Sequence, residues 1–330
     1  MFLKAGERPL RMWEIRIRKI PWMDRRLKGE VLMRTVLVTG GSGALGWTLI
    51  RRLRGRCRVV ATHCRHPLKL QDVEAHPMDL RKEGKADRLI RKIEPACVIH
   101  TASLTKADFC EQHPGDTEKV NVRGTEEIAT AAQKVGARLV YISTDLVFDG
   151  LKGNYVESDE ARPLSVYGKS KLKAEGVAER CCKNTIVLRS ALMYGWGSEW
   201  NPTFLEWIHG QLAEGKKVQL FEDQYRTPIY VEDLAEAIEV VMLTGPVGLF
   251  HLGGRARVDR FTFGRRVCEV FGFSEDFLSP TKMDEHPYVA PRPLDCSLDS
   301  SKFRFAVGYV FGGVEAGLRN ALEAREPASS

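Results

Sequence analysis

The sequence contains no run of about 18 uncharged apolar residues, the length a membrane-spanning helix needs, and its first residues lack the apolar core of a secretory signal. Its eight cysteines (Cys57, Cys64, Cys97, Cys110, Cys181, Cys182, Cys268, Cys296) form no C-x-x-C pair and have no clustered histidine partners, which argues against a zinc site or a disulfide framework. Free buried thiols in the cytoplasm are the expectation, with no metal. Charge of one sign is also missing from most of the chain. The formal charge is +7, but residues 1–34 carry ten of the 50 Lys/Arg and four of the 43 Asp/Glu, leaving 40 against 39 for the rest. The body therefore offers no electrostatic reason to bind nucleic acid, and only the basic arm is a candidate for polyanion contact. One further absence is local: from Gly43 to Gln71 there is no Asp or Glu at all.

With 43% hydrophobic and 28% charged residues, the 330-residue chain has globular composition and is long enough for a large domain plus a smaller one. Tyr167-Gly-Lys-Ser-Lys171 is its only Tyr-x-x-x-Lys, with Ser143-Thr144-Asp145 upstream. Residues four apart on a helix share a face, so Tyr167 and Lys171 are expected to point to one place. An ammonium beside a phenol stabilises the phenolate and lowers its pKa from near 10, which makes such a tyrosine a general acid. A hydroxyl from Thr144 or Ser143 can hold the same substrate oxygen. Together these groups suit reduction of a carbonyl or, in reverse, oxidation of an alcohol.

Thr35-Val36-Leu37-Val38 reads as a buried parallel strand and feeds into Thr39-Gly40-Gly41-Ser42-Gly43-Ala44-Leu45-Gly46, followed by a helical pattern through Trp47, Leu49, Ile50 and Leu53. Strand, glycine loop and helix start in that order place backbone N–H groups at a pyrophosphate. The second strand, Arg58–Thr62, ends where a carboxylate for the ribose of NAD would stand. Arg65 stands there instead, so NADP(H) is expected over NAD(H), unless Arg65 is only a solvated loop charge. Asp79, beside Leu80, either reaches the adenine or caps the helix through Leu89 and Ile93. Thr101, Ala102 and Ser103 are small enough for a cofactor to lie against them. Val120-Asn121-Val122 starts a helical stretch to about Val135, and Asn121 within it is either placed by function, as a cofactor-binding residue, or faces solvent. Trp200, Phe204 and Trp207 are expected mainly in the core.

The segments Thr39–Gly46, Ser143–Gly150, Pro163–Lys171, Leu188–Ser190, Glu222–Pro228 with Asp233-Leu234-Ala235, Phe250-His251-Leu252, and Arg292-Pro293 with Leu298-Asp299 resemble the extended short-chain dehydrogenases/reductases, within them the dTDP-4-dehydrorhamnose reductase-like branch. The resemblance runs from Arg34 to about Leu322. It implies Thr144, Tyr167 and Lys171 as the catalytic triad, with Tyr167 and Lys171 also touching the cofactor. Gly40, Ser42, Gly43, Ala44, Leu45 and Gly46 would hold pyrophosphate, and a nucleotide sugar would be the substrate. Two positions depart from that branch: Leu146 replaces an aromatic, and Leu192 stands at a tryptophan position. Both line the sugar pocket there, so the identity of the sugar stays open. A regulatory subunit of methionine adenosyltransferase lies in the same branch and implies a rival reading, NADP binding without turnover.

The expected fold is α/β, a Rossmann-type doubly wound parallel sheet with a smaller mixed α/β substrate lobe. Residues 34–190 would form the NADP-binding domain, with 229–243 returning to it, and 191–330 mainly the substrate lobe. Residues 1–33 read as a basic extension: a strand, a surface arm or disordered, unless translation begins at Met23 or Met33. A second copy of the chain is an admissible partner.

Overall fold

The computed structural model describes residues 34–68, 70, 72–243 and 245–325; the expectations for residues 1–33 lie outside the described residues. Strands β1 (Thr35–Thr39), β2 (Arg58–His63), β3 (Glu74–Pro77), β4 (Cys97–His100), β5 (Arg138–Thr144), β6 (Thr185–Ser190) and β7 (Gly248–Leu252) form one seven-stranded sheet in the order β7-β6-β5-β4-β1-β2-β3. Every pairing in it is parallel. A parallel sheet must have both faces covered, and its strands read accordingly as continuous apolar runs: all seven residues of β5 and all six of β6 are buried. The chain winds outward from β1 in one direction to β3, then returns to β4 and winds the other way. The β1/β4 boundary is therefore the switch point at which such sheets open a crevice.

Helices α1 (Ala44–Leu53), α2 (Lys85–Ile93), α3 (Ala107–Gln112), α4 (Gly124–Lys134) and α5 (Val166–Cys181) cover the sheet. Leu45, Leu49, Ile50 and Leu53 form the apolar stripe that α1 presents to the core. Arg51 and Arg52 in its last turn complement the negative end of its dipole. The stretch expected to be helical from Val120 begins as a π-helical segment, Glu118–Arg123, before passing into α4. All eight cysteines are free; Cys64 is exposed, Cys181 half-buried and the other six buried.

The second lobe holds α6 (Phe204–Ala213), α8 (Arg260–Phe271) and the parallel strands Val218–Phe221 and Leu278–Thr281, around a core that includes Leu205, Ile208, Leu220, Phe263 and Val267. The return to the large unit is wider than 229–243. Helix α7 (Val231–Val241) packs in the same cluster as Val36 and Leu49, but so do Phe250 and Leu252 of β7 and Phe303, Val307, Tyr309 and Phe311. The apolar alternation of β7 is too short to show from sequence which sheet it joins. Among the described residues, no helix is long and apolar enough to cross a membrane.

Candidate active site

A cleft of about 790 Å³ opens at the carboxyl ends of the strands, between the sheet and the second lobe. Gly40 turns the chain at φ +70, and a Cβ there would come within 2.8 Å of the Ala102 Cα and N. This contact brings the loops after β1 and β4 together, and Thr101 Oγ1 locks them by donating to the Thr39 carbonyl at 2.6 Å. Gly46 is required by packing, since a Cβ would lie 2.3 Å from the Gly40 oxygen. Gly43 differs: it lines the cleft, and its Cβ would meet only that oxygen, at 3.3 Å. Helix α1 starts at Ala44 with no side-chain cap and no acidic residue in its first turn. The N–H groups of Ala44, Leu45 and Gly46 thus begin the helix without intrahelical acceptors, in residues that line the cleft with Ser42. This cradle suits a pyrophosphate, so the residues present fit a dinucleotide.

Farther along the same wall stand Arg65, Asp79 and Leu80. Arg65 is exposed. Asp79 is held by the neighbouring guanidinium, Arg81 Nε and Nη2 donating to its two oxygens at 3.0 and 2.9 Å, which keeps its carboxyl below the usual carboxylate range. It does not cap α2, whose N-cap is Gly84.

Ser165 begins α5 by accepting from Gly168 N at 3.2 Å, and Gly168 packs so closely that a Cβ would lie 2.3 Å from the Leu146 oxygen. The helix start is thereby pressed onto the loop after β5. Thr144, Tyr167 and Lys171 are all buried and all line the cleft. Thr144 Oγ1 donates to Asp145 Oδ1 at 3.1 Å and accepts from Leu146 N at 3.2 Å. Ser143 does not compete for that role, because its hydroxyl donates to Glu175.

The expected pairing of Lys171 with the phenol is corrected by the structure. Lys171 Nζ donates to the Ile142 carbonyl at 2.7 Å and lies 4.2 Å from the Tyr141 ring centroid. Burial pushes the Tyr167 phenol up rather than down, opposed by the neighbouring Thr144 hydroxyl. Burial also lowers Lys171 to about 7, with Glu175 one helical turn away opposing the shift.

Thr101, Ala102 and Ser103 line the cleft as expected. Asn121 does not; it is 1% exposed and stands behind that wall, so the solvent-facing alternative is overturned. Its Oδ1 accepts from Leu104 N at 2.8 Å and Ser103 Oγ at 3.0 Å, while Nδ2 donates to the Leu104 oxygen and Ser170 Oγ, each at 3.0 Å. Asn121 thus ties the loop after β4 to helix α5. The π-helical turn there places an amide where regular helix rules would not favour one.

Leu146, from the loop after β5, and Leu192, Phe204, Arg226 and Arg260 of the second lobe also line the cleft. Trp200 and Trp207 are not core residues, being 46% and 43% exposed. Trp200 stacks on His66 with ring centroids 4.3 Å apart, joining the lobe to the loop after β2. Asp145, buried beside Thr144, has its carboxyl raised by desolvation and opposed by Arg226, 3.4 Å away. Sequence reasoning did not assign Arg226 or Arg260 to the site. Arg226 lies within a quoted motif, whereas Arg260 carries no local signal.

Comparison with known proteins places these observations in a family. The RmlD substrate binding domain matches residues 33–326. The probable low-salt glycan biosynthesis reductase Agl14 of Haloferax volcanii is 30% identical over 276 residues, 82% of this chain and 91% of its own length. The dTDP-4-dehydrorhamnose reductase of Mycobacterium tuberculosis is 30% identical over 277 residues, 82% of this chain and 86% of its own. A solved structure from Sulfolobus tokodaii, described as a hypothetical dTDP-4-dehydrorhamnose reductase, superposes with TM-score 0.75 at 32% identity, covering 86% of this chain and 99% of the other.

Proposed function

The chain belongs to the RmlD substrate binding domain family, and from that premise we propose that it is an NADP(H)-dependent oxidoreductase that reduces a keto group on a nucleotide-linked sugar. The observation that carries this reading is the convergence of Thr144, Tyr167 and Lys171 in the same cleft as the glycine cradle. When bound, the nicotinamide supplies the hydride for the carbonyl carbon. Tyr167 Oη gives its proton to the carbonyl oxygen, which becomes the alcohol, and the phenol is reprotonated from solvent. Thr144 Oγ1 holds that oxygen in line with the phenol. Lys171, whose Nζ is held by the Ile142 carbonyl on the same cleft wall, is left to hold the cofactor beside Tyr167.

NADP(H) preference rests on Arg65, a cation on the adenosine wall with no Asp or Glu between Gly43 and Gln71 to favour an unphosphorylated ribose. A purely regulatory subunit has no use for a hydroxyl, a phenol and an ammonium brought together. The test is direct: purified protein with NADPH and a panel of 4-keto nucleotide sugars should consume NADPH. Tight NADPH binding with no hydride transfer to any of them, alongside a stable complex with another enzyme, would overturn the reading.

A further inference from the structure

The substrate end of the cleft sets one buried guanidinium, Arg226, and one half-buried guanidinium, Arg260, against a single buried acid, Asp145. Arg226 is 3% exposed and fully engaged: Nε lies 3.4 Å from Asp145 Oδ2, Nη1 donates to the Leu294 oxygen and Nη2 to the Pro293 oxygen, each at 3.1 Å. That pairing uses Asp145. Arg260, the first residue of α8, sits near both groups on the cleft wall. Its Nε donates to Gln224 Oε1 at 2.9 Å, and its guanidinium carbon lies 4.6 Å from the Phe204 ring centroid. Gln224 is itself anchored, its amide 3.1 Å from Met283 Sδ. Among the described residues, Arg260 forms no ion pair. Held at Nε and along one face, it leaves its terminal nitrogens as a free fork beside a second guanidinium. A half-buried cation next to another costs stability unless an anion offsets it.

We infer that Arg260 is the receptor for an anionic group of the substrate, its fork taking a pair of oxygens from a phosphoryl or a carboxylate group. Guanidinium geometry suits either group, and Phe204 and Gln224 preorganise the fork so that little side-chain freedom is lost on binding. The inference rests on the reductase reading of this cleft and specifies which substrate group the second lobe reads.

Binding measurements separate the two. Calorimetry with dTDP against thymidine tests the phosphoryl source, and UDP-glucuronate against UDP-glucose tests the carboxylate source. In at least one pair the wild-type protein should prefer the more anionic ligand by about ten- to hundredfold, and the pair that discriminates names the source. Arg260→Gln should remove that preference, Arg260→Lys should keep part of it, and NADPH titration of both variants reports on the fold. Discrimination that survives in Arg260→Gln, or a wild type that discriminates in neither pair, overturns the inference. Because the readout is binding, absence of turnover would sink the reductase reading and leave this one standing.

Discussion

Lys171 Nζ is bound to the Ile142 carbonyl oxygen at 2.7 Å. Helix α5 is thereby pinned to the strand that presents Thr144, two residues beyond Ile142. Lys171 is buried, and its pKa falls from 10.5 to about 7. The folded protein therefore binds fewer protons at this site than the unfolded chain between those values, so stability should rise with pH across that window. Below about pH 7 the charged form must be kept buried, and the full cost remains. The stability of Lys171→Met relative to wild type should thus be greatest near pH 7 and decline toward pH 10.5, while turnover is lost. Thermal unfolding of both proteins across that range checks it; a constant difference would contradict the buried-charge account.

Tyr167→Phe removes the proton donor and keeps the ring in its buried place. NADPH affinity should be unchanged and turnover should fall by about 10²–10⁴-fold, the usual contribution of a general acid. Unchanged turnover on a confirmed substrate would mean that the proton comes from elsewhere.

Cofactor preference should reside in Arg65, because the neighbouring Arg81 is already committed to Asp79. Arg65→Ala should weaken NADPH by about tenfold and leave NADH untouched, an effect reduced by salt because the side chain is exposed. Titration by cofactor fluorescence decides it; equal losses for both cofactors would place the phosphate contact elsewhere.

What the sequence made legible was local. The glycine loop could be read because strand, turn and helix start are contiguous, and Tyr167 with Lys171 because four residues make one helical turn. What stayed hidden depended on partners far along the chain. Nothing near Lys171 announces the Ile142 carbonyl, which is 29 residues away. Asn121 looked exposed or cofactor-binding, yet it braces Leu104 and Ser170 across two elements. Arg260 carries no local signal, and only folding sets it beside Phe204 and Gln224.

The same long-range logic gives a final prediction under strand β5. Glu175, one turn beyond Lys171, accepts from Ser143 Oγ and from Arg189, whose Nη2 lies 2.7 Å from Oε2 and whose Nε lies 3.0 Å from Oε1. Both side chains are buried, at 7% and 5% exposure, and the next contact of Arg189 is His251, whose imidazole burial lowers to about 3. His251 is therefore neutral at working pH, and Glu175 is the acid that balances Arg189. Removing one member of a buried pair strands the other, so Glu175→Gln should cost about 3–5 kcal/mol although glutamine can still accept from Ser143. Arg189→Met alone should cost a similar amount. Replacing both removes both stranded charges, so Glu175→Gln with Arg189→Met should be more stable than either single variant. Urea unfolding of the four proteins forms a double-mutant cycle. Additive losses would show that the pair is not coupled and that the strand end bearing Ser143 and Thr144 is held by packing alone.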